Sequence, residues 1–198
     1  MRFVVAITGA SGAIYAVRLL KACLDLGHHV DLIVSDYGKR LLIEECEFNL
    51  KTETVEQFLD RRYGAAERAG TLTHHRDSDM GACIASGSQR WDGMVVIPCS
   101  MKTLSGIAHG TASNLVERTA DVTLKERRPL VIVPRETPMN MIHLENLQKA
   151  ARAGAAILPA MPAFYQKPRT FEDLADFIAG RALSLLGSEH GLFEPWKG

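Results

Sequence analysis

The densest run of reactive residues lies between Pro98 and Asn146. It holds Pro98-Cys99-Ser100-Met101-Lys102-Thr103, then Asn114-Leu115-Val116-Glu117-Arg118, then Lys125-Glu126-Arg127-Arg128. It closes with Val133-Pro134-Arg135-Glu136 and His143-Leu144-Glu145-Asn146. Hydroxyls, a lysine and arginines suit an anion such as phosphate, and an arginine beside a glutamate can hold a phosphate and move a proton. A second feature is Gly9-Ala10-Ser11-Gly12 after the first apolar run. Such a loop offers backbone N–H groups and a helix dipole to a phosphate. It is neither GxGxxG nor GxxxxGK[ST], so neither a dinucleotide fold nor a P-loop kinase is supported.

These residues need a scaffold, and the apolar pattern supplies one. Buried strands are expected at Phe3 to Thr8, Val30 to Val34, Met94 to Pro98, Leu130 to Pro134 and Ala155 to Leu158. Helical spacing links Tyr15, Leu19, Leu20, Cys23 and Leu26, and Gly27 stops that helix. Further helices are expected at Tyr37 to Cys46, about 103–109, about 113–126, and His143 to Ala153. One more starts at Thr170, where Thr170-x-x-Asp173 resembles a capping box. Residues 48–90 read as less regular, with a charged segment at 61–68, His74 and His75 in a loop, and a Ser86-Gly87-Ser88 turn. Alternating strands and helices imply an α/β fold: a single-domain, doubly wound parallel sheet, Rossmann-like or flavodoxin-like, with helices on both faces. Ligands of such sheets sit at the carboxyl ends of the strands. Ser35, Ser100, Thr103 and Arg135 all follow strands there.

Composition sets the limits. The 198 residues carry 23 Lys and Arg against 23 Asp and Glu, so net charge is zero and a nucleic-acid partner is disfavoured. Cys23, Cys46, Cys83 and Cys99 are widely spaced and read as reduced, mostly buried thiols of a cytosolic protein. No apolar run approaches a bilayer span, and the N-terminus lacks a signal-peptide pattern. With no HExxH and no His/Cys cluster, no metal is expected. Arg127 and Arg128 read as a solvated helix end, and His143 as a helix-capping or core histidine.

Taken together, Gly9-Ala10-Ser11-Gly12, Ser86-Gly87-Ser88, Pro98-Cys99-Ser100-x-x-Thr103-Leu104, Asn114-Leu115-x-x-Arg118 and Ala120-Asp121-Val122-x-Leu124-Lys125-Glu126 resemble the flavin prenyltransferases, the UbiX-like proteins. Val133-Pro134-Arg135-Glu136, His143-Leu144-Glu145-Asn146, Pro162-x-Phe164-Tyr165 and Arg181 continue the resemblance across almost the whole chain. It implies one flavoprotein domain over residues 1–198, with a tail from about residue 188. The implied reaction joins a dimethylallyl group from dimethylallyl phosphate to N5 and C6 of reduced FMN without a metal. Its product, prenylated FMN, would serve a UbiD-type decarboxylase. FMN is then expected on Gly9, Ala10, Ser11, Ser35, Ser100, Met101, Lys102, Thr103 and Arg135. Substrate contacts are expected from Ser86, Gly87, Arg118, Lys125, Arg135, Glu136, Tyr165 and Arg181. Catalytic parts fall to Ser11, Glu45, Lys125, Glu136 and Trp196, all brought to one edge. A cytoplasmic homo-oligomer is implied, a dodecamer with sites between subunits. Two alternatives share the fold: a flavin-dependent cysteine decarboxylase, suggested by Pro138-Met139-Asn140, and a non-catalytic FMN-binding subunit.

Overall fold

The computed structural model describes residues 1–194 and Trp196. Six parallel strands form one sheet: β1 (Arg2–Ile7), β2 (His29–Val34), β3 (Thr71–Arg76), β4 (Gly93–Cys99), β5 (Leu130–Pro134) and β6 (Ala156–Ile157). Their order is β3-β2-β1-β4-β5-β6, which puts the reversal of winding between β1 and β4. That switch point is where an open α/β sheet leaves a ligand crevice.

The helices are α1 (Ala13–Asp25), α2 (Asp36–Cys46), α3 (Val55–Tyr63), α4 (Met101–His109), α5 (Leu115–Lys125), α6 (Met141–Arg152) and α7 (Phe171–Leu185). Alternation along β1 sorts the core. Phe3, Val5 and Ile7 face one cluster with α1 and α7, while Val4 and Ala6 face another with α4, α5 and α6. Both faces of β4 and β5 are buried, which explains their unbroken apolar sequence. Phe48 and Phe58 stack at 4.2 Å under the first cluster. Burial of each such ring stabilises the fold by roughly 1.5–3 kcal/mol.

Three elements depart from the sequence expectation. Residues 48–90 contain α3 and β3, and His74 and His75 lie within β3 rather than in a loop. As an edge strand, β3 exposes Thr71, Thr73, His74 and Arg76, so it shows no apolar run. It is clamped instead by charge. Asp31 of β2, almost fully buried, accepts from Arg2 of β1 at 2.7 and 3.2 Å and pairs with His75 of β3 at 2.8 Å. Burial pushes the Asp31 carboxyl up, but the Arg2 and His75 hydrogen bonds outweigh it and hold it below the usual range. The Asp31, His75 and Cys83 ligand atoms fall within 4.8 Å of one another, with the Arg2 guanidinium already on the carboxylate. The last strand is shorter than expected, at two residues.

The capping expectations hold. Thr170 and Asp173 form a reciprocal capping box at α7. His143 completes another with Asn140 at α6, the capping role read for it. Arg128 differs: it is not a solvated helix end. Its guanidinium lies 4.1 Å from the Trp91 ring and donates to Gly87 O at 3.0 Å. Indole stacking draws the guanidinium in from solvent.

Candidate active site

The carboxyl edge at the switch point is pinned by Thr8. Its hydroxyl donates to Pro98 O at 2.8 Å and accepts from Ser100 N at 2.8 Å, tying the end of β1 to the end of β4. Among the helices that begin at this edge are α1, α2, α4 and α5. Each would offer unpaired N–H groups to an anion. Acidic residues close two of them. Glu45, reaching across from α2, accepts from Gly12 N and Ala13 N, both at 2.8 Å. The Asp77 carbonyl takes Leu115 N at 2.8 Å, its carboxylate takes Val116 N at 3.2 Å, and Asn114 takes Glu117 N at 2.9 Å. The expectation that the first loop presents the α1 N-terminus to a phosphate is therefore corrected: a carboxylate holds that position.

The N-termini of α2 and α4 are open. Ser35 caps α2 through Gly38 N at 3.1 Å, and Ser100 caps α4 through Thr103 N at 3.3 Å. The N–H groups of Asp36, Tyr37, Met101 and Lys102 occupy first-turn positions that no helix satisfies, and no described residue satisfies them either. Gly9, Ser35, Ser100, Lys102 and Thr103 line one cavity of about 400 Å³ there. A phosphate fits this set by donor count and by the hydroxyls of three flanking residues, with Lys102 as the cation of the lining. Gly9 is required by Tyr37, because a Cβ at Gly9 would lie 2.6 Å from the Tyr37 Cβ.

Beside the cavity, Arg135 follows β5 and donates through Nε to Ser11 O at 2.9 Å. Glu136 accepts from Thr137 N at 3.0 Å. Ser11, Arg135 and Glu136 thus share the rim with the cradle. Burial raises the Tyr15 phenol, and the nearby Arg135 cation partly offsets that rise.

The remaining expected site residues are elsewhere on the same chain, which corrects the expectation of one edge. Helix α5 carries Lys125 from that edge to the opposite one: Pro129, four residues on, takes Met94 N at the start of β4. Eleven helical residues cover about 16 Å. Lys125 there pairs with Glu126 at 2.6 Å, next to Gly87. Arg118 donates to Ala85 O at 3.1 Å and to Asp121 at 2.9 Å, on the way down to Ser86 and Gly87. Tyr165, Arg181 and Trp196 do come together, in a groove of about 830 Å³ on the flank of α7. This groove lies toward the amino ends of the strands, because the foot of α7 meets Gly93, and Ser188 meets His28.

Asp36, Tyr37 and Asp77 were given no site role from sequence, yet they line the cradle cavity with Asn114 and Glu117 of the quoted 114–118 run. Glu117 is buried and accepts from Thr111 Oγ1 at 2.7 Å, Ser113 N at 2.9 Å, Ser113 Oγ at 2.6 Å and Asn114 Nδ2 at 3.2 Å. Burial pushes its carboxyl up, and these bonds more than reverse that, leaving it below its usual range. The Asn114-x-x-Glu117 spacing is a helix-start signal. Asp77 sits in irregular sequence that carries no signal.

The chain's first 183 residues match the model of the Flavoprotein family. It is 50% identical to the flavin prenyltransferase UbiX of Halalkalibacterium halodurans over 194 residues, 98% of this chain and 92% of the relative. The chain belongs to the flavin prenyltransferases. Within that family, UbiX of Methanothermobacter thermautotrophicus is 45% identical over 195 residues, covering 98% of this chain and 95% of the relative. A crystal structure of AnUbiX (PadA1) in complex with FMN and dimethylallyl pyrophosphate superposes with a TM-score of 0.88 at 43% identity, covering 100% of this chain and 97% of that one. A dodecameric FMN-dependent UbiX-like decarboxylase from Escherichia coli O157:H7 gives 0.87 at 41% identity over the full length of both. The cypemycin decarboxylase CypD, at 18% identity and 0.57, covering 94% of this chain and 93% of that one, shares the fold alone. Among the described residues of this flavin prenyltransferase, no helix is long and apolar enough to cross a membrane.

Proposed function

We propose that this flavin prenyltransferase takes dimethylallyl phosphate and reduced FMN and forms prenylated FMN, without a metal, for use by a UbiD-type decarboxylase. The observation that carries the reading is the open pair of helix N-termini at Ser35 and Ser100, with Arg135 and Glu136 following β5 next to the end of β4. FMN, bound as substrate, supplies the nucleophilic N5 and then C6. Asp36, Tyr37, Met101 and Lys102 N–H groups, with Ser35, Ser100 and Thr103 hydroxyls, hold its phosphate. Gly9, Ala10 and Ser11 border the flavin, and Arg135 orients it while fixed to Ser11 O.

Breaking the allylic C–O bond leaves negative charge on phosphate. Lys125, Arg135, Arg181 and the Tyr165 hydroxyl stabilise that charge, each worth roughly a hundredfold in rate. Positive charge on the prenyl carbons faces the Trp196 indole, for about 1–2 kcal/mol. Glu136 moves the proton released at C6, and Ser11 assists near N5. Glu45 fixes the loop that carries Ser11. Ser86, Gly87 and Arg118 border the donor from the side of Lys125.

Because Lys125 and Arg181 stand far from Arg135 in one chain, the complete site is assembled between copies in a cytoplasmic homo-oligomer. The dodecameric relative supports this arrangement. The test is anaerobic incubation with reduced FMN and dimethylallyl phosphate, then mass analysis of the flavin. A flavin heavier by one C5 prenyl unit is expected, and the diphosphate run in parallel ranks the donors. Recovery of unmodified FMN alone from folded, flavin-loaded protein refutes the reading, and CO₂ from a cysteinyl peptide would replace it with the decarboxylase.

A further inference from the structure

The tail after α7 folds back onto that helix at Gly180. A Cβ at Gly180 would stand 2.6 Å from Phe193 Cε1 and 2.7 Å from His190 Cε1. The two rings therefore occupy the space a side chain would take. Other anchors flank this socket. Ser188 Oγ meets His28 Nε2 at 2.8 Å, His190 Nε2 meets Ser184 Oγ at 2.9 Å, and Gln166 Nε2 donates to Glu194 O at 2.8 Å. Phe193 packs against Phe177 at 5.1 Å, and Trp196 lies edge-on to Tyr165 at 5.1 Å. Trp196 is itself 70% exposed, so its place depends on the anchors upstream of it.

We propose that Gly180, His190 and Phe193 are positioning residues for the prenyl donor: they seat the tail on α7, and the seated tail is what makes a groove of Tyr165, Phe177, Arg181 and Trp196. This rests on the reading of that groove as the donor site. One wall of the groove is helix and the other is tail, so an undocked tail leaves Arg181 and Tyr165 on an open flank. The lining pairs apolar rings with a guanidinium and a phenol, which matches a short apolar chain on an anionic head.

The latch depends on a neutral His190. Its Nδ1 accepts from Leu192 N at 3.3 Å and so carries no proton, which leaves Nε2–H to donate to Ser184 Oγ. Protonation at Nδ1 removes the Leu192 bond. Arg181 from α7 and Glu189 from the tail are the charged groups lining the groove with it. Burial lowers the His190 pKa, the Gly180 backbone opposes this, and Arg181 lowers it again.

Gly180→Ala is the sharp probe. Alanine suits a helix interior better than glycine by about 1 kcal/mol, so α7 is not weakened and only the tail is displaced. The measurements are acrylamide quenching of tryptophan, calorimetric binding of dimethylallyl phosphate to the FMN-loaded protein, and FMN affinity. Trp91 is buried, so quenching reports Trp196. Stronger quenching is expected, with donor binding weakened about tenfold, the scale of one lost aromatic contact, and FMN affinity unchanged. His190→Asn, which keeps an acceptor near the Nδ1 position, should lose less than His190→Ala, and wild-type donor affinity should fall only at pH below the ordinary histidine range, where His190 with its lowered pKa gains its proton. Unchanged donor affinity in Gly180→Ala overturns the proposal, whatever the quenching shows. Donor binding without product in the wild type would instead count against the proposed reaction and leave the tail's part standing.

Discussion

At the residue scale, carboxylates decide which helix ends can take an anion. Glu45 and Asp77 fill the N-termini of α1 and α5 at the carboxyl edge, and the cradle forms from those of α2 and α4, which are left open. Glu45→Ala should free Gly12 N and Ala13 N and lower stability by about 1 kcal/mol, the worth of a helix cap, read from the denaturant midpoint. Glu136→Gln is expected to keep FMN affinity and lose turnover; full activity in that variant would remove Glu136 from the proton step. Glu117 adds a pH dependence. Its carboxyl lies below its usual range, so the folded state binds fewer protons than the unfolded one near the unfolded pKa. The stability it confers is complete above about pH 5 and is lost as pH falls through the lowered folded value. Glu117→Gln should flatten that acid limb of the melting-temperature profile.

At the element scale, two features repay a closer test. Gly106 of α4 lies against the Glu117 carboxylate, with no room for a Cβ. Gly106→Ala should therefore cost about 1–3 kcal/mol by overpacking, despite the better helix propensity of alanine. Across β1, β2 and β3, Asp31→Asn should cost about 1.5–3 kcal/mol, because it strips charge-assisted bonds from Arg2 and His75; urea unfolding measures it. These elements also mark what the sequence reveals. The buried strands and the cap at Thr170 are legible because apolar runs and short-range spacing encode them, and His143 is legible as a capping histidine although its partner Asn140 is not. Strand β3 is not, because an edge strand held by charge has no apolar period. The cradle residues Ser35, Ser100 and Thr103 are legible as polar residues after strands. Glu45 closing α1 is not, since a contact 33 residues apart leaves no local pattern.

At the scale of the whole molecule, one chain separates the parts of its expected site by the full length of a strand and a helix. Arg135 follows the carboxyl end of β5 and Lys125 stands toward its opposite end. On the proposed reading, a Lys125→Ala chain and an Arg135→Ala chain are each inactive, while a refolded equal mixture regains roughly a quarter of wild-type sites, those with both defects elsewhere. No recovery in a mixed oligomer would place both residues in one protomer's site.

The opposite placement of Lys125 and Arg135 carries a geometric demand. When the foot of one subunit completes the head of another, the exchange either closes at once in a two-fold pair, where each copy's foot meets the other's head, or passes head to tail from copy to copy. Head-to-tail contacts either run on as an open filament or close by rotation into a ring. Only closure leaves no terminal subunit with half a site. On the proposed reading, the direction in which α5 crosses the molecule ties catalysis to a closed assembly, and dilution below the assembly threshold should silence every site before any chain unfolds.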